Sequence, residues 1–268
     1  MTRQTKEEIL LGNLVKQEIY KLVKRPTLTY FWGFLLVFQI AAAIYVSRNP
    51  QEVNPQKAFL GNFFVPVMIA FFMISLCSTT LSTEIQSGTL KSLLYRKYSV
   101  YQVLISKWLS LLIYTIALYV AGMIISLVLH WMMFQKTIPL SVRLPGGHSF
   151  LQVWALTSLG SFLSLIFLLT FVLLIGTLFT SSTAALVAGI ATYFITSIFN
   201  QLLFQFIIQH DWLKWTPFNM MNIGDQILTP SMSEVTRLSL FQMTVGYLAY
   251  AVLFLGAGLI IFRRRNTR

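Results

Sequence analysis

The chain has 268 residues, 56% of them apolar and only 10% charged, with a mean hydropathy of +0.70. A soluble domain carries about 25% charged residues, so a water-facing enzyme surface, a disordered tail and a secreted disulfide scaffold are all excluded; the single cysteine, Cys77, can form no internal bridge. The net charge of +12 lies in short islands between long apolar runs, not on one basic face, which points to a polytopic membrane protein rather than to nucleic-acid binding.

The first segment, residues 1–27, holds six basic residues: Arg3, Lys6, Lys16, Lys21, Lys24 and Arg25. At helical spacing Leu11, Leu14, Val15, Ile19 and Leu22 share one face, with Asn13, Lys16, Gln17, Lys21 and Lys24 opposite. Such a helix suits the cytoplasmic headgroup layer and serves equally as a plain topology anchor; Pro26 ends it. Glu18 breaks the apolar face. A carboxylate there requires a partner, expected to be a basic residue of a neighbouring cytoplasmic segment. Glu18, Lys21, Lys24 and Arg25 are the candidate functional residues of this helix.

Residues 28–268 form one six-span membrane domain. A helix needs roughly 20 mostly apolar residues to cross a bilayer, and six runs qualify: about 28–47, 59–81, 103–134, 151–179, 183–208 and 240–262. The third and fourth exceed one crossing and must tilt or continue beyond the membrane. Ala41, Ala42 and Ala43 resemble a signal cleavage site, but the charged lead and the apolar run are both too long for one. Fourteen of the twenty Lys and Arg residues fall at the N-terminus, between the second and third runs, or in the tail. Both termini are therefore expected to be cytoplasmic, in a multi-pass protein of the cell membrane.

The island between the second and third spans, about 82–102, is the most informative. Gly88 breaks the second helix, and Leu90, Leu93 and Leu94 give a short helix with one apolar face. Ser99 and Gln102 form a capping box that opens span three. Exposed leucines with no core of their own ask for a partner protein with a groove.

Glu84, Gly88-Thr89-Leu90-Lys91, Leu93-Leu94 and then Ser106-Lys107 at the head of span three resemble the permease subunit of ABC transporters of the type-two exporter class. By motif the likeness covers about 82–108, and by architecture the whole chain; it departs at the turn, which reads Arg96-Lys97-Tyr98. The resemblance implies an all-α fold with six transmembrane helices, an N-terminal amphipathic interfacial helix and a cytoplasmic coupling helix that docks on an ATPase. Glu84, Gly88, Leu90, Lys91, Leu93 and Leu94 would then carry the coupling. It also implies two copies of a separate ATPase subunit that hold ATP and Mg, and a second permease, identical or homologous. The cargo expected of the class is amphipathic, such as an antimicrobial peptide or a lipid-like toxin. The chain itself has no G-x-x-x-x-G-K-[ST] phosphate loop, as expected of a permease without enzymatic activity.

The segment 209–239 reads in two ways. Trp212, Trp215 and Phe218 suit an interfacial aromatic loop, whereas the resembled class has short re-entrant helices there; Ser231 and Glu234 form a capping box that opens a helix. His130, His148 and His210 have no metal-site spacing, and no metal is expected. Gly146, Gly147 and His148 read as a turn. Ser181, Ala184, Ala185, Ala188 and Gly189 give span five a small-residue stripe, expected to pack within the subunit. Among polar residues within spans (Gln39, Asn62, Asn200, Gln201, Gln205), the last three either line a path for cargo or bond between helices. No acid or base lies deep in a span, which disfavours ion coupling. The alternatives are a membrane immunity or structural protein that does not pump, and an intramembrane enzyme, which lacks the paired carboxylates it would need.

Overall fold

The computed structural model describes residues 3–86, 98–143 and 148–266. Among them there is no strand, only an isolated bridge between Arg143 and Ser149. Six helices are long and apolar enough to span a membrane, the architecture of a multi-pass membrane protein. Helix α1 runs Arg3–Lys24 and α2 Pro26–Arg48, with Pro26 at the first turn of α2, where its missing N–H costs nothing. A short α3, Pro55–Leu60, precedes α4, Val65–Gln86. The third span is α5, Val100–Leu129, which passes into a π-turn at His130–Phe134; α6 covers Phe150–Leu178 and α7 Ser182–Gln209. Between α7 and the last span lie a 3-10 turn at Asp211–Trp215 and three short helices, α8 Pro217–Met220, α9 Ile223–Leu228 and α10 Met232–Thr236. Helix α11, Leu240–Asn266, closes the chain.

Three starts are set by reciprocal capping boxes that satisfy otherwise orphaned N–H groups. Ser99 and Gln102 cap α5 reciprocally, as the sequence predicts, at 3.0 and 3.2 Å. Ser149 with Gln152 and Ser239 with Gln242 do the same for α6 and α11. The expected box at Ser231 and Glu234 does not form: α10 begins there, but no side chain caps it.

Span two also differs from expectation. Its apolar run starts near residue 59, yet the helix starts at Val65, because Asn62, Phe63 and Phe64 all take positive φ (47, 51 and 67°). Left-handed backbone costs roughly 1–2 kcal/mol per non-glycine residue, so this turn needs support. Asn62 supplies it from inside the bundle. Its Nδ2 donates to Ser158 Oγ at 2.8 Å, and its Oδ1 accepts from Trp154 Nε1 at 2.9 Å. Asn62→Ala leaves those α6 groups without their partners, and an unsatisfied buried group costs about 1–3 kcal/mol. A clearly lowered thermal unfolding midpoint in mild detergent is expected; an unchanged midpoint would remove this role from Asn62.

Helix α4 is central, packed against both α6 and α7, while α6 also packs against α11. Ile69, Met73 and Ile74 of α4 meet Leu118 of α5 and Leu168 and Val172 of α6 in the main core. In lipid, close backbone approach replaces water exclusion as the main cohesive force. The small-residue stripe serves that purpose within the subunit: a Cβ at Gly189 would sit 2.8 Å from that of Ser78, and Ala185 is fully buried. On α6, a Cβ at Gly176 would come 3.1 Å from the Ser78 carbonyl oxygen. Gln39 likewise bonds inward, donating to Gly122 O and Ser126 Oγ on α5.

Candidate functional site

At one end of the bundle, α1 packs against α5. It buries Leu14, Glu18 and Leu22, while Lys16, Gln17 and Lys24 stay exposed. The carboxylate on the apolar face meets two cations. Lys21 Nζ lies 2.6 Å from Glu18 Oε1, and Lys107 Nζ lies 3.0 Å from Glu18 Oε2. Lys107 is also 2.7 Å from Glu84 Oε1, and Lys21 reaches the same oxygen at 3.4 Å. Two acids and two bases thus close a neutral quartet that joins α1, the last turn of α4 and the beginning of α5. Helices α4 and α5 are the two that flank residues 87–97.

Lys107, which the sequence places at the head of span three, sits in the second turn of α5 with its side chain 1% exposed, and Glu84 lies in the last turn of α4, so both charges stand near the ends of spans rather than deep in them. A buried ammonium is tolerated only when paired and hydrogen-bonded, and here it has two carboxylates. The signal was present as one lysine inside an apolar helix, opposite two glutamates on otherwise apolar faces.

Its electrostatics have a definite sign. Burial pushes the Glu18 carboxyl up, but Lys107 and Lys21 together outweigh it and hold the group below the ordinary glutamate value. Burial pulls Lys21 down, but its bond to Glu18 and the charge of Glu84 raise it above the ordinary lysine value. A depressed acid gives stability that is present above its unfolded pKa and lost as pH falls through the folded one; a raised base gives stability lost only as pH rises through its folded value. Glu18→Gln is therefore expected to melt below the wild type at pH 7, with the gap closing on acidification below about pH 4. A gap constant down to pH 3 would contradict this.

Of the other residues singled out in the sequence, Gly88, Leu90, Lys91, Leu93 and Leu94 lie outside the described residues. Lys24 sits over the Tyr20 ring at 5.7 Å, and Arg25 caps α2 in extended conformation beside a small cavity lined also by Thr80 and Ser110. Gln205 is exposed on α7; the side chains of Asn200 and Gln201 are not among those described. His130 is buried at the end of α5, its Nε2 2.6 Å from Ile138 O. Among the described residues no group of three potential ligands could hold a metal.

The segment between α7 and α11 forms short helices that pack on the bundle, while Trp212 and Trp215 stay exposed on it. Ser164, near the middle of α6, donates to Met221 O at 2.7 Å, and Tyr250 of α11 donates to Trp215 O at 2.7 Å. The Cα atoms of Gly224 and Gly160 face each other so closely that a Cβ on either would fall 2.6–2.7 Å from the other's backbone. Irregular backbone at membrane depth persists only where protein satisfies it. Asn219 Nδ2 donates to Lys214 O and Thr236 O, and Gln226 Nε2 donates to Leu238 O while accepting from Thr236 Oγ1. None of these inward roles is visible in the local sequence.

Residues 27–268 match the model of a family described as Protein of unknown function (DUF2705). No curated protein matches the chain. The matched stretch holds Glu84 and Lys107, whereas Glu18 and Lys21 precede it.

Proposed function

We propose that this chain, which belongs to the DUF2705 family, is the membrane-spanning half of an ATP-driven exporter whose ATPase is a separate subunit. The observation that supports the reading is the quartet. It ties the N-terminal helix to both helices flanking residues 87–97, the segment that resembles a coupling helix. A push on that segment would thus reach α1, α4 and α5 as one body, which suits a site where force from a partner enters a bundle. In this reading both termini are cytoplasmic, α1 lies along the headgroup layer, and Leu90, Leu93 and Leu94 enter a groove of the ATPase. Two permease copies and two ATPases complete the path, with ATP and Mg held on the ATPases. The cargo is amphipathic, such as an antimicrobial peptide or a lipid-like toxin.

Purification of the full chain from its native membranes in mild detergent tests this. A stoichiometric ATP-hydrolysing chain should copurify. A chain that comes out repeatedly without one, in membranes that contain its genomic neighbours' products, would leave a non-pumping immunity or structural role instead.

A further inference from the structure

A cleft of about 690 Å³ opens between α9, α10 and the head of α11, a volume within the ordinary range of small-molecule sites. Its level follows from the last span. A Cβ at Gly258 of α11 would lie 3.7 Å from Leu104 Cδ2, three residues before Lys107, so Gly258 stands at the quartet's level. Leu240, where α11 starts, precedes it by 18 residues, or about 27 Å at the helical rise. A bilayer core is about 30 Å thick. The cleft therefore stands at the membrane surface opposite the quartet, level with lipid headgroups.

The cleft carries one charge of each sign. Glu234 of α10 and Arg237, three residues on, both line it and both are exposed. They are not paired with each other among the described residues. Arg237 gives one N–H to Asp211 Oδ1 at a long 3.4 Å, while Lys214 holds the other oxygen of that carboxylate at 2.6 Å. A guanidinium has five N–H donors, so most of Arg237 remains for a ligand. No cation is bonded to Glu234 among the described residues.

The walls are built rather than loose. Gln226, 3% exposed, donates from Nε2 to Leu238 O and accepts from Thr236 Oγ1, which ties the residues on either side of Arg237 to α9. Arg237 itself holds left-handed backbone at φ 54°, a conformation that suits glycine and strains a residue with a side chain. Ser239 Oγ accepts from Gln242 N and keeps its O–H to donate. The remaining lining includes Ile227 and Leu240; Leu240 and its neighbour Phe241 are 44% and 78% exposed, open to the acyl region. A free ion would use the charges and waste the apolar wall, and a hydrocarbon would do the reverse. A molecule with a cation, an anion and an acyl chain uses all of it.

We propose that this cleft is a headgroup site for an ethanolamine phospholipid of the surrounding bilayer. Arg237 takes the phosphate, for which a guanidinium offers parallel N–H donors. Glu234 accepts from the ammonium, and the acyl chains leave past Leu240 and Phe241. A choline headgroup has no N–H to give Glu234, and a glycerol headgroup has no cation, so the site tells the three apart. It does not rest on the transporter reading.

The test titrates the full chain, stripped of lipid in mild detergent, with dioleoyl phospholipids bearing ethanolamine, choline or glycerol headgroups, and counts bound lipid by native mass spectrometry. The wild type should bind the ethanolamine lipid about tenfold more tightly than either other, the scale of one hydrogen bond to a charged group. Glu234→Gln should lose that preference and leave the choline lipid unchanged. Arg237→Gly, which keeps the left-handed turn, should weaken all three alike. Lys57→Gln, at an exposed cation on α3, should change nothing. A wild type without the preference, a preference that survives Glu234→Gln, or an Arg237→Gly that binds no more weakly than Lys57→Gln overturns the site. Should a variant not fold, an ethanolamine lipid with a diazirine near the glycerol end of one chain decides: crosslinks within residues 226–240 support the site, and crosslinks confined elsewhere overturn it. Loss of the headgroup preference leaves the transporter reading standing, and a chain without an ATPase leaves the headgroup site standing.

Discussion

Replacing Lys107 with methionine is expected to cost about 3–5 kcal/mol, the scale for removing one partner of a buried ion pair. The cause is what remains rather than what is lost: Glu18 and Glu84 stay buried after their shared buried cation is gone, and the half-exposed Lys21 is what is left of the quartet's positive charge. Removing the acids as well should therefore restore stability. Lys107→Met with Glu18→Gln and Glu84→Gln should recover most of the loss, because neutral side chains carry no uncompensated charge. Unfolding midpoints of the wild type, the single variant and the triple variant in one detergent measure both effects. If Lys107→Met melts with the wild type, or the triple variant melts no higher than the single one, the quartet is not a buried, mutually dependent unit.

Gly224→Leu should have the other large effect. Even a Cβ at this position falls 2.6 Å from Gly160 Cα and carbonyl carbon, and backbone cannot rotate away as a side chain does. Overpacking usually costs about 1–3 kcal/mol, but here the re-entrant segment must lift off α6, and the bonds from Ser164 and Tyr250 must break with it. Gly12 and Gly256 are the controls, since a Cβ there meets nothing within 4 Å. Leucine at either should leave the midpoint nearly unchanged, while Gly224→Leu lowers it sharply. Equal midpoints for all three would remove the backbone contact from the account.

The spans were legible because long apolar runs report burial in lipid directly, whatever their partners. The quartet was half legible. Glu18 contradicts the face it occupies, so its need for a cation can be read from periodicity alone. Lys107 reads from the sequence as a charge at the head of span three, but nothing local shows that it meets both glutamates. Nothing local distinguishes the Ser231 and Glu234 pair, which forms no box, from Ser239 and Gln242, which do; the second opens a 27-residue helix and the first a helix of 5. The re-entrant segment was least legible. Its helices are too short for periodicity, and its depth depends on Gly160 and Gly224, two glycines far apart in the chain. The left-handed turn at Asn62 is hidden inside an apolar run, since its support comes from Trp154 and Ser158 on another helix.

The coupling role is tested most directly by Leu93→Asp with Leu94→Asp, measuring membrane insertion and ATPase copurification on the same sample. Burying a leucine contributes about 1.5–3 kcal/mol, so two charged replacements on a docking face should abolish the contact. Normal insertion with loss of the ATPase is expected. Reduced insertion, with any inserted protein still binding ATPase normally, would mean that these leucines lie on lipid and would contradict it.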